Sequence, residues 1–187
     1  MGAALRQQLT GLLATMSVVA VLAGLAFGLP AIDRSLPAGR PVSAGEPYAI
    51  GAGVTVRPPP GAVLDVTGTR PGDDRGSVLF VLGQVRYAIV VQPFGGDLGS
   101  AAGRLRRRIT GTAGYQVTGT ELTVATGTGL PGLQGGYTAP GRGGRYAVFL
   151  VDGLAIEVTV SGDDPDLDHR LAAIEASTGT LRYEARR

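Results

Sequence analysis

An acidic run at residues 163–168, DDPDLD, has the residue types and part of the spacing of a calcium-binding loop. Counted from Asp164, carboxylates fall at positions 1, 3 and 5 and Glu175 falls at position 12. Position 6 is His169, where the sharp turn of that loop requires glycine. Aspartate and proline also favour a helix start, through capping and the helix dipole. We therefore interpret the run as a helix N-terminus and predict no metal site.

Arginines gather at two places in the chain and are the candidate binding residues. A guanidinium group pairs with carboxylates and phosphates, so such a cluster predicts a surface for anionic headgroups, an envelope polymer or an acidic protein. Arginines in the last turns of a helix also complement its dipole, by about 0.3–1 kcal/mol each, and this is the preferred interpretation of the first four. The candidate anionic-partner surface comprises Arg104, Arg106, Arg107, Arg108, Arg142 and Arg145.

No combination of residues predicts catalysis. The sequence contains one histidine, His169, and no cysteine, so an activated nucleophile with a base and an orienting group is not evident. Neither a G-x-S-x-G elbow nor a P-loop occurs. The glycine-rich stretches at 127–129, 135–136 and 141–144 do not stand between a strand and a helix, as a phosphate-binding loop does. We predict no catalytic, cofactor-binding or metal-ligating residue, and a hydrolase remains a distant alternative.

Composition limits the compartment and the partners. All 17 basic residues are arginine, and neither lysine nor asparagine occurs, which indicates a G+C-rich genome of the actinobacterial kind. A net charge of +2 is too small to predict nucleic-acid binding. Because cysteine is absent, disulfides, thiolate metal sites and a lipidated N-terminal cysteine are excluded.

Strand patterns dominate the region that must position these residues. Gly83-Gln84 and Asp152-Gly153 have the form of two-residue hairpin turns. In the strand after the second turn, alternation predicts that Leu154, Ile156, Val158 and Val160 face the core and that Ala155, Glu157 and Thr159 face solvent. The predicted strands are residues 54–56, 63–67, 77–82, 85–92, 115–117, 121–125, 133–139, 146–151 and 154–160.

Two helices are predicted among these strands. The first spans residues 97–109, with Asp97 near its start and Gly111 after its end. The second begins at Asp163 or Asp164. Their apolar faces are, respectively, Leu98, Ala101, Ala102, Leu105 and Ile109, and Leu167, Leu171 and Ile174. Hairpins without strict strand–helix alternation predict an α+β domain, in which two helices pack on an antiparallel sheet.

A short motif extends this interpretation to a family. The stretch GVTVRPPPG of residues 53–61 resembles the opening of Mog1/PsbP-like domains of small membrane-anchored actinobacterial envelope proteins. The hairpins and the two helices are similar as well, and Ala62 stands where those relatives often carry tryptophan. The resemblance covers about residues 47–184 and implies a binding, assembly or accessory module without a shared active site.

The N-terminal region predicts membrane attachment. Residues 9–29 carry no charge and are long enough, at 1.5 Å per helical residue, to cross a bilayer. They separate a short head at 1–8 from a Pro/Gly/Ala linker at 30–46 and a domain at 47–187. A cleaved signal peptide is the alternative. The flanking arginines are nearly balanced, and we favour an uncleaved signal-anchor with the domain outside the cytoplasm.

The sequence thus predicts a single-pass, membrane-anchored extracytoplasmic interaction or accessory module that binds a protein, in secretion or envelope maintenance. A carrier that holds an apolar or lipid ligand between sheet and helix is the alternative. Neither an enzymatic activity nor a cofactor is predicted.

Overall fold

The structure, a computed structural model, describes residues 39–185. This part of the chain contains a long run of strands interrupted by two helices. In chain order the elements are β1 (Gly39–Pro41), β2 (Tyr48–Gly51), β3 (Val54–Val56), β4 (Val63–Asp65), β5 (Gly76–Leu82), β6 (Val85–Pro93), α1 (Leu98–Thr110), β7 (Gln116–Ala125), β8 (Pro131–Ala139), β9 (Arg142–Val151), β10 (Leu154–Gly162), α2 (Asp164–Thr178) and β11 (Arg182–Tyr183).

Eight of these strands form one antiparallel sheet in the order β1-β4-β5-β6-β10-β9-β8-β7. Two hairpins predicted from the sequence, β5–β6 and β9–β10, are confirmed. The second hairpin turns at Asp152 and Gly153, whose φ angles of 46° and 72° are those a type I′ turn needs. The predicted α+β architecture with an antiparallel sheet and two helices is therefore correct.

The two helices cover opposite faces of this sheet. Adjacent residues of β10 belong to different cores, since Ala155 packs with α1 and Ile156 packs with the core under α2. We call the side under α1 the α1 face and the other side the α2 face. Asp97 caps α1 through a 2.6 Å bond from the Ser100 amide to its carboxylate. The core on the α1 face comprises Ala101, Ala102, Leu105, Ile109, Tyr137, Tyr146, Val148 and Ala155.

A second, three-stranded sheet in the order β11-β3-β2 completes the core on the α2 face. Tyr48 of β2 meets Phe80 of β5 edge to face, with ring centroids 5.7 Å apart. The backbones of β2 and β5 approach so closely that a Cβ on Gly76 would overlap the carbonyl oxygen of Ile50. Glycine at 76 is therefore what allows the small sheet to lie against the large one.

The prediction that Ala155 and Glu157 face solvent is wrong. Their exposed fractions are 0% and 2%, and Thr159 is half-buried. The prediction assumed a sheet with one covered face, whereas α1 lies across the second face of β10. A glutamate below a helix looks the same in the sequence pattern as one in water.

Some element boundaries also differ from the predictions. Residues 30–46 were predicted to be a linker, but Gly39–Pro41 is a strand paired with Val63–Asp65, because an extended proline-containing segment suits a sheet edge. The predicted strands 115–117 and 121–125 are, apart from residue 115, parts of one strand, β7, which is interrupted by an irregularity that includes Gly119 at a φ of 71°. The short strands β2 and β11 were not predicted.

None of the helices in residues 39–185 is long and apolar enough to cross a membrane. The predicted transmembrane helix at 9–29, the head at 1–8 and most of the predicted linker lie outside the described residues.

The raised pKa values of two buried tyrosines lead us to expect a loss of stability at high pH. Burial raises the pKa of Tyr87 to about 12, and burial together with the Glu121 carboxylate raises the pKa of Tyr146 to about 12. Both are nearly inaccessible, and the Tyr87 hydroxyl lies 3.0 Å from Thr178 Oγ1 of α2. Because the pKa of each tyrosine is higher in the folded protein than in the unfolded chain, each contributes to the free energy of unfolding. This contribution is complete below the unfolded-state pKa of about 10 and is lost as the pH rises towards the folded-state pKa of about 12.

We expect these two tyrosines to ionise only as the protein unfolds, which ultraviolet absorbance and circular dichroism will measure in parallel. Ionisation of all six tyrosines near pH 10 with the fold intact would contradict this.

Candidate functional site

The predicted arginine cluster of α1 is organised around a buried carboxylate. Arg104 Nη2 donates to Glu157 Oε1 at 2.9 Å, and Arg108 Nη1 donates to Glu157 Oε2 at 2.6 Å. The two arginines are four residues apart and therefore lie on one side of the helix. The Glu157 side chain is only 1% exposed, and the Arg104 guanidinium also stacks on Phe94 at 4.4 Å. These two arginines thus hold α1 on the sheet.

A third arginine of the cluster serves a second carboxylate. Arg106 Nη1 donates to Glu121 Oε2 of β7 at 3.0 Å. The other oxygen of Glu121 accepts a 2.9 Å bond from the Tyr146 hydroxyl. Arg107 is exposed and makes no ion pair with any described residue. Of the four α1 arginines, Arg107 is therefore the one whose guanidinium remains available to a partner.

Arg142 and Arg145 do not extend this cluster as one surface. Both are exposed and lie on β9, but they are three residues apart in a strand and so point to opposite faces. Arg145 lies on the α2 face, where a Cβ on Gly136 of β8 would be 3.5 Å from its Nη1. The binding of an anionic partner by these arginines stays a prediction, and the structure separates Arg145 from the helix cluster.

This arrangement predicts unequal effects for two neighbouring arginines. Arg108→Gln removes a short charged hydrogen bond to a buried carboxylate, and we expect it to lower the free energy of unfolding by about 1–2 kcal/mol, because the arginine itself is half-exposed. Arg107→Gln changes an exposed, unpaired side chain and should stay within about 0.5 kcal/mol of the parent chain. Urea denaturation of the two variants measures the difference, and equal effects would show that the Glu157 contact contributes nothing.

An apolar groove lies on the α2 face, between α2 and the far end of the sheet. Its volume is about 220 Å³, and α2 forms one wall through Leu171 and Ile174. A 3.5 Å hydrogen bond from Gln134 Nε2 to Glu175 Oε1 crosses from β8 to α2 at the groove. The sheet wall is formed by β7, β8, β9 and β10, chiefly Val124, Gln134, Arg145, Ala147, Phe149, Val158 and Val160.

Sequence reasoning did not find this groove, although β8 carried a signal for it. Gly132 and Gly136 of β8 belong to the α2 face, because they pair with Phe149 and Arg145 of β9. A Cβ on Gly132 would lie 2.5 Å from the Phe149 ring. Glycines spaced by four in a strand thus leave a smooth face over which neighbouring side chains can lie.

The acidic run begins α2, as predicted. Asp163 is the N-cap residue, but its side chain makes no capping hydrogen bond, so that part of the interpretation is wrong. Asp164 and Asp166 lie in the first turn, where negative charge favours the helix dipole. The His169 ring lies 2.6 Å from the Pro165 carbonyl oxygen, through Nδ1. No three carboxylate or histidine side chains within residues 39–185 are placed to hold a metal ion.

Comparison with solved structures identifies the architecture. The solution structure of cyanobacterial PsbP (CyanoP) from Synechocystis sp. PCC 6803 superposes with a TM-score of 0.52 at 13% sequence identity. The alignment covers 77% of this chain and 98% of that protein. The chain has a PsbP-like fold. The resemblance noted at residues 53–61 is thereby confirmed for the fold.

The other comparisons assign no further fold or family to the chain. A protein of unknown function from Pseudomonas aeruginosa aligns with a TM-score of 0.43 at 15% identity, over 54% of this chain and 75% of that protein. No protein-family model matches the sequence, and no curated protein is similar to it.

Proposed function

We propose that this chain is a single-pass membrane protein whose extracytoplasmic PsbP-like module binds a partner protein, as an accessory component of a secretion or envelope-maintenance assembly. The apolar segment at 9–29 is the basis for the membrane attachment. The module supplies binding surfaces rather than reacting groups, since its one histidine bonds within its own helix.

The size of the groove is the observation that carries this proposal. At about 220 Å³ it is smaller than the roughly 300–1,000 Å³ of typical small-molecule pockets. A space of this size fits one or two apolar side chains, such as those a partner protein inserts into a groove. Its walls of valine, leucine, isoleucine and phenylalanine favour such side chains over polar ones.

A carrier of an apolar or lipid ligand is the second candidate. The same apolar lining favours it, together with Arg145 at the groove, which would pair with an acidic headgroup. A lipid would have to leave most of its chain outside a space of this volume, so we rank the carrier second.

Native mass spectrometry of the full chain, purified in mild detergent, separates the two functions. Protein binding predicts that a defined polypeptide co-purifies and that Val124→Lys or Leu171→Lys, both partly exposed at the groove, reduces its recovery. Val66→Lys, at an exposed position of the β4–β5 connection, is the control and should not. A retained small molecule without any co-purifying protein would reverse the ranking.

A further inference from the structure

We propose that β7 accepts an extended segment of the partner protein as an added strand, and that an acidic side chain of this segment pairs with Arg145. This inference rests on the proposed function, because it names the surface and the chemistry of the protein partner. Four observations on the edge, its charges and the neighbouring face carry it.

The two edges of the large sheet differ in how well they are protected. β1 has three residues and contains Pro41, which cannot donate a backbone hydrogen bond. β7 has ten residues without a proline, and within residues 39–185 it pairs only with β8. The irregularity between Thr118 and Leu122 divides it into two regular segments, of which Leu122–Ala125 is the longer. An edge of this kind presents a row of backbone N–H and C=O groups that an extended peptide can pair with.

The charge of Glu121, which would otherwise protect this edge, is already neutralised. Glu121 is the one charged residue of β7, and both of its oxygens are occupied, by Arg106 and by Tyr146. Leu122 is next to it and is 63% exposed, although it is a large apolar residue. The edge therefore offers an apolar contact and no repelling charge to an incoming strand.

An unpaired cation lies on the same face as the groove, next to this edge. Arg145 starts from β9, and its guanidinium reaches Gly136 of β8, which pairs in turn with Thr118 of β7. No carboxylate within residues 39–185 lies at ion-pair distance from it. A strand added to β7 would lie three strand spacings, about 14 Å, from β9, since neighbouring strands are about 4.8 Å apart. An extended arginine from β9 and an extended glutamate from the added strand, joined by a hydrogen bond, meet over β7.

These charges favour a partner protein over a second copy of this chain. The β7 of a second copy would bring another unpaired Arg145 and no free carboxylate, because Glu121 is occupied. The segment we infer instead carries an acidic residue near Thr118 and apolar residues opposite Leu122 and Val124, on the α2 face.

A panel of synthetic peptides tests the inference on the full chain in detergent. Each acetylated decapeptide alternates valine with threonine, with one glutamate replacing each valine in turn so that the glutamate and the remaining valines share one face, and a peptide with a central proline is the control. We expect saturable binding by fluorescence anisotropy and backbone amide shifts confined to β7 and β8. One glutamate position should bind about two- to fivefold more tightly than the others.

Matched variants assign the contacts. Arg145→Gln should abolish the preference for one glutamate position while leaving binding itself in place. Leu122→Lys should weaken every peptide, whereas Val66→Lys, at the other strongly exposed large apolar residue within the described region, should weaken none.

The outcomes separate this inference from the proposed function. It is overturned if no peptide exceeds the proline control, if the amide shifts lie elsewhere, or if the chain forms a dimer that Leu122→Lys dissociates. A partner that co-purifies equally well with the Leu122→Lys chain would overturn the edge assignment alone. Peptide binding without any co-purifying protein would sustain the edge assignment and remove support from the proposed function.

Discussion

Replacing Glu157 with alanine should lower the free energy of unfolding by about 2–4 kcal/mol. The substitution removes a buried carboxylate and leaves Arg104 and Arg108 without their shared acceptor beneath α1. Losing one partner of a fully buried ion pair costs about 3–5 kcal/mol. The two arginines are 30% and 53% exposed and can turn towards water, so we expect the lower part of that range or slightly less. Equilibrium urea denaturation of the full chain measures the change.

Glu175→Ala is the matched control for this substitution. Glu175 is exposed on α2, and its carboxylate makes one long hydrogen bond to Gln134. We expect an effect within about 0.5 kcal/mol. If Glu157→Ala were equally mild, Glu157 would behave as the solvent-facing residue that strand alternation predicted, and the ion cluster would not fix α1.

Gly76→Ala should lower the free energy of unfolding by about 3 kcal/mol, because it disturbs the contact between the two sheets. The added methyl group would overlap the carbonyl oxygen of Ile50 and lie 2.8 Å from its carbonyl carbon. These are backbone atoms of β2, which cannot turn away as a flexible side chain can. Overpacking of a buried site typically costs about 1–3 kcal/mol, and a backbone clash belongs at the upper end. Thermal denaturation followed by circular dichroism tests this.

Gly95→Ala provides the comparison for Gly76. Gly95 follows β6 and has no atom near the position of an added Cβ, and its φ is not positive. At such a site alanine should leave stability unchanged or raise it by about 0.4–1 kcal/mol, through the lower entropy of the unfolded chain. A Gly76→Ala protein as stable as Gly95→Ala would mean that β2 can move away from β5 at little cost.

Local patterns were sufficient for much of the fold. Period-two runs bounded by Gly83-Gln84 and Asp152-Gly153 predicted two hairpins, and the stripe from Leu98 to Ile109 predicted α1. These signals act between residues close in sequence. The short strands β2 and β11 carry too few residues for a period, and β11 pairs with β3 across more than a hundred residues.

The candidate site was predicted less well than the fold, because its contacts join residues that are far apart in the sequence. The arginines of α1 were recognised by type, but their acceptor Glu157 lies 49 residues after Arg108 and looked solvent-facing. The groove depends on the absence of side chains at Gly132 and Gly136, on a face defined only once α2 is in place. Residues that acquire their roles across a sheet leave little trace in a local pattern.

The pairing of β11 with β3 has a consequence for the biogenesis of the protein. Arg182 lies opposite Thr55, and Leu181 just before it is completely enclosed. During synthesis β3 emerges more than a hundred residues before β11, so the small sheet can close only after residue 183 has left the ribosome. Until then β3 lacks one of its two strand partners, and the core on the α2 face lacks Leu181.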